Sequence, residues 1–225
     1  MIRTLPSRIV LPLFLGVILV GGIGCATPYD YSAYQAHMPR SILVLPPLNE
    51  STDANAPYSF LTTISRPLAE RGYYVYPVSV IDVFMKENGL PTPGEMHTVS
   101  LNKFDEIIGP DAVLYITIEE FGQKYVLLSS NTTVAARARL VDVDTGTQIW
   151  DGKVKLVQSS NSGAGGGAGG LIVALIVAAV EQVVDTATDQ THNVARMANQ
   201  KLIHDKNRGM LIGPLHPDFG KTDEN

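Results

Sequence analysis

Few residues in this chain are of a type that does chemistry, and their spacing is poor for it. The histidines are His37, His97, His192, His204 and His216. No pair falls at metal-ligand spacing on one helical face, and no H-E-x-x-H occurs. His192 and His204 share one predicted helix but stand twelve residues apart, too far for a common ion. All five are expected to face solvent. Glu119 and Glu120 form a carboxylate pair near the end of a predicted strand. Neighbours on a strand point to opposite faces, so the two are not expected to flank one substrate. There is no G-x-S-x-G elbow for a nucleophilic serine. The run Gly165-Gly166-Gly167-Ala168-Gly169-Gly170 fits G-x-G-x-x-G. It follows the second arm of a predicted hairpin instead of opening a parallel crossover, and Asp185 and Asp189 beyond it fall within a helical pattern. No Gly-Lys-Ser/Thr follows. The expectation is a non-catalytic chain with no cofactor and no metal. Asn131-Thr132-Thr133 matches a glycosylation sequon and is given no weight.

The single cysteine, Cys25, is placed differently. Arg3 and Arg8 give a basic start, Ile9 to Val20 an apolar core, and Gly21-Gly22-Ile23-Gly24 a patch of small residues that closes on Cys25. A short apolar core between a positive start and small residues is a secretory signal rather than a spanning helix. Gly22-Ile23-Gly24-Cys25 resembles the lipobox of bacterial lipoproteins, with glycine where leucine is commonest. That resemblance implies that Cys25 becomes the lipidated (palmitate-bearing) first residue of the mature chain. It also implies, from Ala26 in place of aspartate, release to the outer membrane. Several acyl chains on one residue hold firmly where a single chain does not. With no second cysteine there is no internal disulfide, and stability must come from a core.

The formal net charge is −5, and loss of the leader with its two arginines makes it about −7. An acidic chain without a basic cluster is a poor ligand for nucleic acid.

The elements follow from pattern. Ile42 to Leu45 is a short, wholly apolar run ended by Pro46-Pro47, as in a strand buried on both faces. Phe60, Leu61, Ile64 and Leu68 recur at helical spacing, with Pro67 inside the pattern and Gly72 placed to stop it. Tyr73 to Val80 reads as a second strand, parallel to the first across a helical crossover. Short helices are predicted over VIDVFMKE, ended by Gly89, and over Val99 to Ile108, ended by Gly109-Pro110. Pro91-Thr92-Pro93-Gly94 reads as a loop, and a third strand starts at DAVLYITIEEF. In TVAARARLVDVDTGTQIWDGKVKL, Asp144-Thr145-Gly146 makes a three-residue hairpin loop. Pairing Val143 with Thr147 sets Leu140 opposite Trp150, Ala136 opposite Val154 and Val134 opposite Leu156 on one apolar face, and Arg139 opposite Asp151 on the other. The fold class is therefore α/β (α+β): a mixed sheet with a parallel strand-helix-strand start, an antiparallel hairpin and helices over at least one face.

ILVLPPLNES, LAERGYYVYP, DAVLYITIEEFG and LVDVDTGTQIWDG resemble the small α/β domain of several bacterial envelope lipoproteins. They are similar to the amino-terminal domain of the Tol-system propeller protein and to lipoprotein activators of peptidoglycan synthases. With the Gly-rich segment and the closing GMLIGPLHPDFG, nearly the whole mature chain resembles a bacterial lipoprotein family first noted as a neisserial surface-antigen candidate. Members tend to be encoded beside a lipoprotein related to the curli secretion channel. The resemblance implies a periplasm-facing or surface-exposed outer-membrane protein. Its expected role is as an accessory subunit of an envelope or secretion assembly, with a curli-secretion-channel-like lipoprotein as partner. Regulation of peptidoglycan synthesis is the alternative reading, and a lipid-anchored periplasmic enzyme is a third.

The expected organisation is a leader (1–24), a tether (25–40) reaching at most about 50 Å, an α/β domain (41–158), a Gly-rich linker (159–170), a long helix (171–206) and a tail (207–225). Gly163 to Val180 carries no polar side chain. Only Leu171 to Val180 is strongly apolar, and as a helix it would cover about 15 Å, half a hydrocarbon core. One reading packs this start on the sheet, with Val194, Ala198 and Leu202 continuing its stripe. The other makes Leu171, Ile172, Val173, Leu175, Ile176, Val177 and Val180 an interaction surface for lipid, a partner lipoprotein or a second copy of the chain.

Overall fold

The computed structural model describes residues 28–126, 129–159 and 187–221. In chain order the elements are α1 (Ser32–Ala36), β1 (Ser41–Val44), β2 (Leu48–Asn49), α2 (Ala56–Glu70), β3 (Tyr74–Val75), α3 (Val78–Glu87), α4 (Pro93–Met96), α5 (Leu101–Ile107), β4 (Ala112–Val126), β5 (Ser129–Asp142), β6 (Gln148–Ser159) and α6 (Ala187–His204). One mixed sheet runs β3-β1-β4-β5-β6, with β2 also paired to β4. β1 is parallel to both β3 and β4, and β4, β5 and β6 are antiparallel.

β1, apolar from Ile42 onward, supplies two cores at once. Ile42 and Val44 face the larger core, and Leu43, with Leu45 just beyond the strand, faces the smaller. α2 and α6 cover the first face. α2 buries Phe60, Leu61, Ile64, Pro67 and Leu68 and runs on through Pro67. α6 buries Val194, Ala195, Ala198, Leu202 and Ile203. On the second face Ile81, Met85, Met96 and Phe104 from α3, α4 and α5 close over Leu43, Val113 and Val141. Gly72 ends α2 at φ +84°, and the Tyr73 amide donates to the Leu68 carbonyl at 3.3 Å, a glycine-stopped helix end that satisfies an orphan carbonyl.

Trp150 is fully buried between the sheet and α6. Gly152, two residues along the same face, makes room for it: a Cβ there would lie 2.5 Å from the indole Cζ2 and 2.9 Å from Leu202 Cδ1.

Four expectations are corrected. The strand predicted over 73–80 keeps only Tyr74 and Val75, because Pro77 caps α3 and the helix then buries Ile81 and Met85. The loop at 91–94 opens into a single helical turn, since the Thr92 hydroxyl and the Glu95 carboxylate cap each other's backbone amides. In the hairpin, Leu140↔Trp150, Arg139↔Asp151, Ala136↔Val154 and Val134↔Leu156 pair as expected, but Val141 meets Gln148 across an irregularity. Val143 does not pair with Thr147. Its amide donates to Asp111 O at 2.9 Å, and Asp142 closes the turn instead, accepting from the Thr145 amide and hydroxyl.

The fourth correction concerns the two ends. Over its described part, the tether is folded. Tyr34 of α1 is fully buried and its hydroxyl meets that of Tyr73 at 2.7 Å. The tail is folded as well: Met210 joins the larger core, and the Gly213 and Leu215 amides donate to the carbonyls of Arg71 and Gly72 at 2.7 and 3.0 Å.

Candidate interaction surfaces

Among the described residues, two larger groupings of polar and aromatic side chains stand out. The first is where the amino-terminal segment is fastened. Tyr29 donates its hydroxyl to Asp151 Oδ1 at 3.3 Å and accepts from the Asp151 amide at 3.1 Å. Tyr31 donates to Gly209 O at 2.6 Å. Tyr73 lies in hydrogen-bond reach of both Tyr34 and the Leu211 carbonyl. Arg208 closes the group: its guanidinium lies 4.7 Å over the Tyr29 ring, its Nε donates to Asp151 O and its Nη2 to the Asp151 carboxylate. Burial pushes the Tyr34 and Tyr73 phenols well above their ordinary range, so both stay neutral donors. A segment without hydrophobic periodicity is thus pinned by its tyrosines to β6 and the tail. The signal was available, because a free linker is poor in aromatic residues.

The second place is the part of the second sheet face that α3, α4 and α5 leave open. A cavity of about 330 Å³ is lined there by Leu48, His97, Tyr115, Arg137, Arg139 and Lys153, among others. The Arg139 guanidinium lies 4.1 Å over the Tyr115 ring, a cation–π contact. Arg137 is held by Glu50 and Glu119, each at 2.7 Å, and Lys155 is paired with Glu120. Glu119 and Glu120 were expected on opposite faces. A bulge between Ile118 and Glu120 adds a residue and breaks the alternation. Both carboxylates therefore turn to the side that carries Arg137 and Lys155, and both are matched by a cation. The expected facing pair Arg139–Asp151 keeps its register, but Asp151 is taken by Arg208.

His37, His97, His204 and His216 are each engaged within the fold. His97, expected in solvent, is half-buried: Nε2–H donates to Pro46 O at 2.9 Å and the ring meets Tyr115 edge-on at 5.3 Å. His37 Nδ1 lies 3.6 Å from Asp142, and His204 lies against Gln200 O. His192 is exposed, and His216 braces the tail through Asp218. Burial, aided by the charge of Arg139, lowers the His97 pKa from its ordinary 6.5. The unfolded chain therefore takes up this proton first as pH falls. Stability present above about pH 6.5 is lost on acidification toward the depressed value. His97→Asn should flatten this loss, read as the change in urea midpoint between about pH 7.5 and 5.5 relative to the parent chain.

Cys25, the glycine run at 165–170, Asp185 and the apolar stretch Leu171, Ile172, Val173, Leu175, Ile176, Val177 and Val180 lie outside the described residues. Among those described, no group of three metal-ligating side chains occurs, and no helix is long and apolar enough to cross a membrane.

Fold and site together define a class: a two-cored α/β domain whose amino-terminal segment is riveted to its own tail. The chain belongs to the family described as "Putative lipoprotein GNA1162-like", which it matches over residues 29–215. It is 39% identical over 209 residues to the "Putative lipoprotein NMB1124/NMB1162" of Neisseria meningitidis serogroup B (strain ATCC BAA-335 / MC58), covering 90% of this chain and 95% of that one. The crystal structure of lipoprotein GNA1162 from Neisseria meningitidis is similar at a TM-score of 0.53 and 43% identity, covering 63% of this chain and 97% of that one. The NMR structure of LpoB from E. coli follows at 0.39 and 17%, covering 71% and 85%; a likeness at that level says nothing of what this chain does. Membership of a lipoprotein family makes the chain a lipid-anchored envelope protein.

Proposed function

We propose that this chain is a non-catalytic lipoprotein of the outer membrane, anchored through Cys25 on the periplasmic side, that holds partner proteins of an envelope or secretion assembly close to the bilayer. One observation carries the reading. Tyr29, already fastened to Asp151 and Arg208, is the fourth residue after Cys25. The leash between lipid and folded body therefore spans at most about 14 Å. A regulator that must cross the cell wall to meet its synthase needs a far longer reach, so a partner beside the membrane fits better. The chemistry-bearing side chains support a binding role, because His37, His97, His204 and His216 and the paired carboxylates are engaged in packing, hydrogen bonds and ion pairs. The apolar stretch Leu171 to Val180 is proposed as a further contact, with a channel-like lipoprotein or with a second copy. It follows β6, whose last residue, Ser159, lies about 27 Å along the strand from Asp151.

Crosslinking in intact envelopes, followed by pull-down from detergent, tests this. The parent chain should bring down a defined membrane-associated partner, and Cys25→Ser should lose it while staying folded. An unanchored chain that keeps the same partner, or a parent chain that crosslinks to nothing in the envelope, contradicts the reading.

A further inference from the structure

β6 is an edge strand of the sheet, and its outer side is treated in two different ways along its length. At Asp151 both backbone groups are used from outside the sheet, the amide by the Tyr29 hydroxyl and the carbonyl by Arg208 Nε. Register with β5 is regular from Asp151 to Ser159. Backbone groups on a strand alternate in direction, so those of Lys153, Lys155 and Val157 point the same way as those of Asp151. Among the described residues nothing meets them. An edge left open in this manner is a template for a further strand.

The charges beside it say what kind of strand. On the face that carries Lys153 and Lys155, Arg137 is balanced by Glu50 and Glu119, and Lys155 by Glu120. Among the described residues, Arg139 lies on the Tyr115 ring with no carboxylate within ion-pair distance, and Lys153 likewise has none. The cations of this face, Arg137, Arg139, Lys153 and Lys155, outnumber the carboxylates Glu50, Glu119 and Glu120 that pair with them, an excess that favours an added anion. A second copy docking edge to edge would set one row of lysines against another, which argues against self-pairing here. On the opposite face, buried Val154 and half-buried Leu156 offer apolar neighbours.

We infer that the Lys153–Val157 edge of β6 takes up a short extended segment of a partner protein. Its carboxylates alternate with apolar residues, a carboxylate meeting Lys153 and the apolar side chains lying beside Val154 and Leu156. Tyr29 and Arg208 close the edge at Asp151, so the added strand ends there and its register is fixed. This deepens the partner-holding reading and rests on it, but its test is separate, since a peptide titration reads the edge alone and envelope crosslinking reads the anchored assembly.

The experiment titrates a fluorescent peptide of alternating glutamate and valine, about eight residues long, against the full lipidated chain in detergent micelles and follows anisotropy. Saturable binding is expected. It should weaken about tenfold or more with K153E, and as much when alternate peptide amides are N-methylated to remove the ladder donors. Circular dichroism checks that the variant is folded, and K153Q gives a milder second variant that should fall between. The proposal is overturned by absent saturation, by binding that survives either the charge reversal or the N-methylation, or by equal binding of a lysine–valine peptide.

Discussion

Trp150→Ala is expected to lower the stability of the domain by about 3–5 kcal/mol. The indole is fully buried in the larger core and fills the space that Gly152 leaves open against Leu202. Its removal forfeits that apolar burial and leaves a cavity lined by the rigid sheet, which relaxes only partly. A second loss is polar: the indole Nε1 donates to the Arg208 carbonyl at 2.8 Å, and that acceptor would be stranded. Because the same arginine lies over Tyr29 and holds Asp151, the amino-terminal segment should loosen with it. A urea titration reads the first effect, and limited proteolysis within residues 29–40 reads the second. Trp150→Phe keeps most of the apolar volume and should cost only about 1–2 kcal/mol. A loss under about 1 kcal/mol for the alanine variant would contradict the packing described.

Asn199→Asp should cost about 3 kcal/mol or more near neutral pH. Asn199 is fully buried between α6 and α2, where its side-chain amide donates to Phe60 O at 2.9 Å and to Thr63 Oγ1 at 2.8 Å. A carboxylate of the same shape would turn an oxygen toward the Phe60 carbonyl and carry an unpaired charge into the interior. In such a site the carboxyl pKa of the folded variant would be raised. The folded state then favours the protonated form, so the penalty is full above that raised value and shrinks as pH falls toward the ordinary carboxylate range near about 4. The difference in unfolding free energy between parent and variant should therefore narrow between about pH 7.5 and 4.5. A constant difference would mean that the site is wetter than its burial indicates.

The parts of this molecule that sequence reading recovered are those where one periodicity controls many residues. Alternation along residues 134–140 and 150–156 allowed a single register, and every strand pair it required is present apart from those at the turn. The stripe Val194, Ala198 and Leu202 is likewise buried as its spacing implied. The failures are local contests that periodicity cannot referee. Val78 and Val80 favour a strand by type, but Pro77 and the burial of Ile81 and Met85 make their segment helical. The turn shifted by one residue because Val143 found the Asp111 carbonyl, a partner remote in sequence. Tyr29, Tyr31 and Tyr34 follow no helical or strand period, so the segment they fasten reads as loose. Its partners, Asp151, Gly209 and Tyr73, lie far along the chain. The β6 edge that is open among the described residues was hidden for the same reason, since pairing pattern shows which strands are neighbours and not which backbone groups go without.

On the function proposed above, the folded body is bound to a membrane through one acylated sulfur four residues before Tyr29, which is fastened to Asp151 and Arg208. Mass spectrometry of the intact chain extracted from membranes addresses it directly. The account predicts a mature product that starts at Cys25 and exceeds the mass of its amino acids by a diacylglyceryl group plus an amide-linked acyl chain. A product that starts elsewhere, or one recovered from the aqueous fraction with an unmodified thiol, would contradict it.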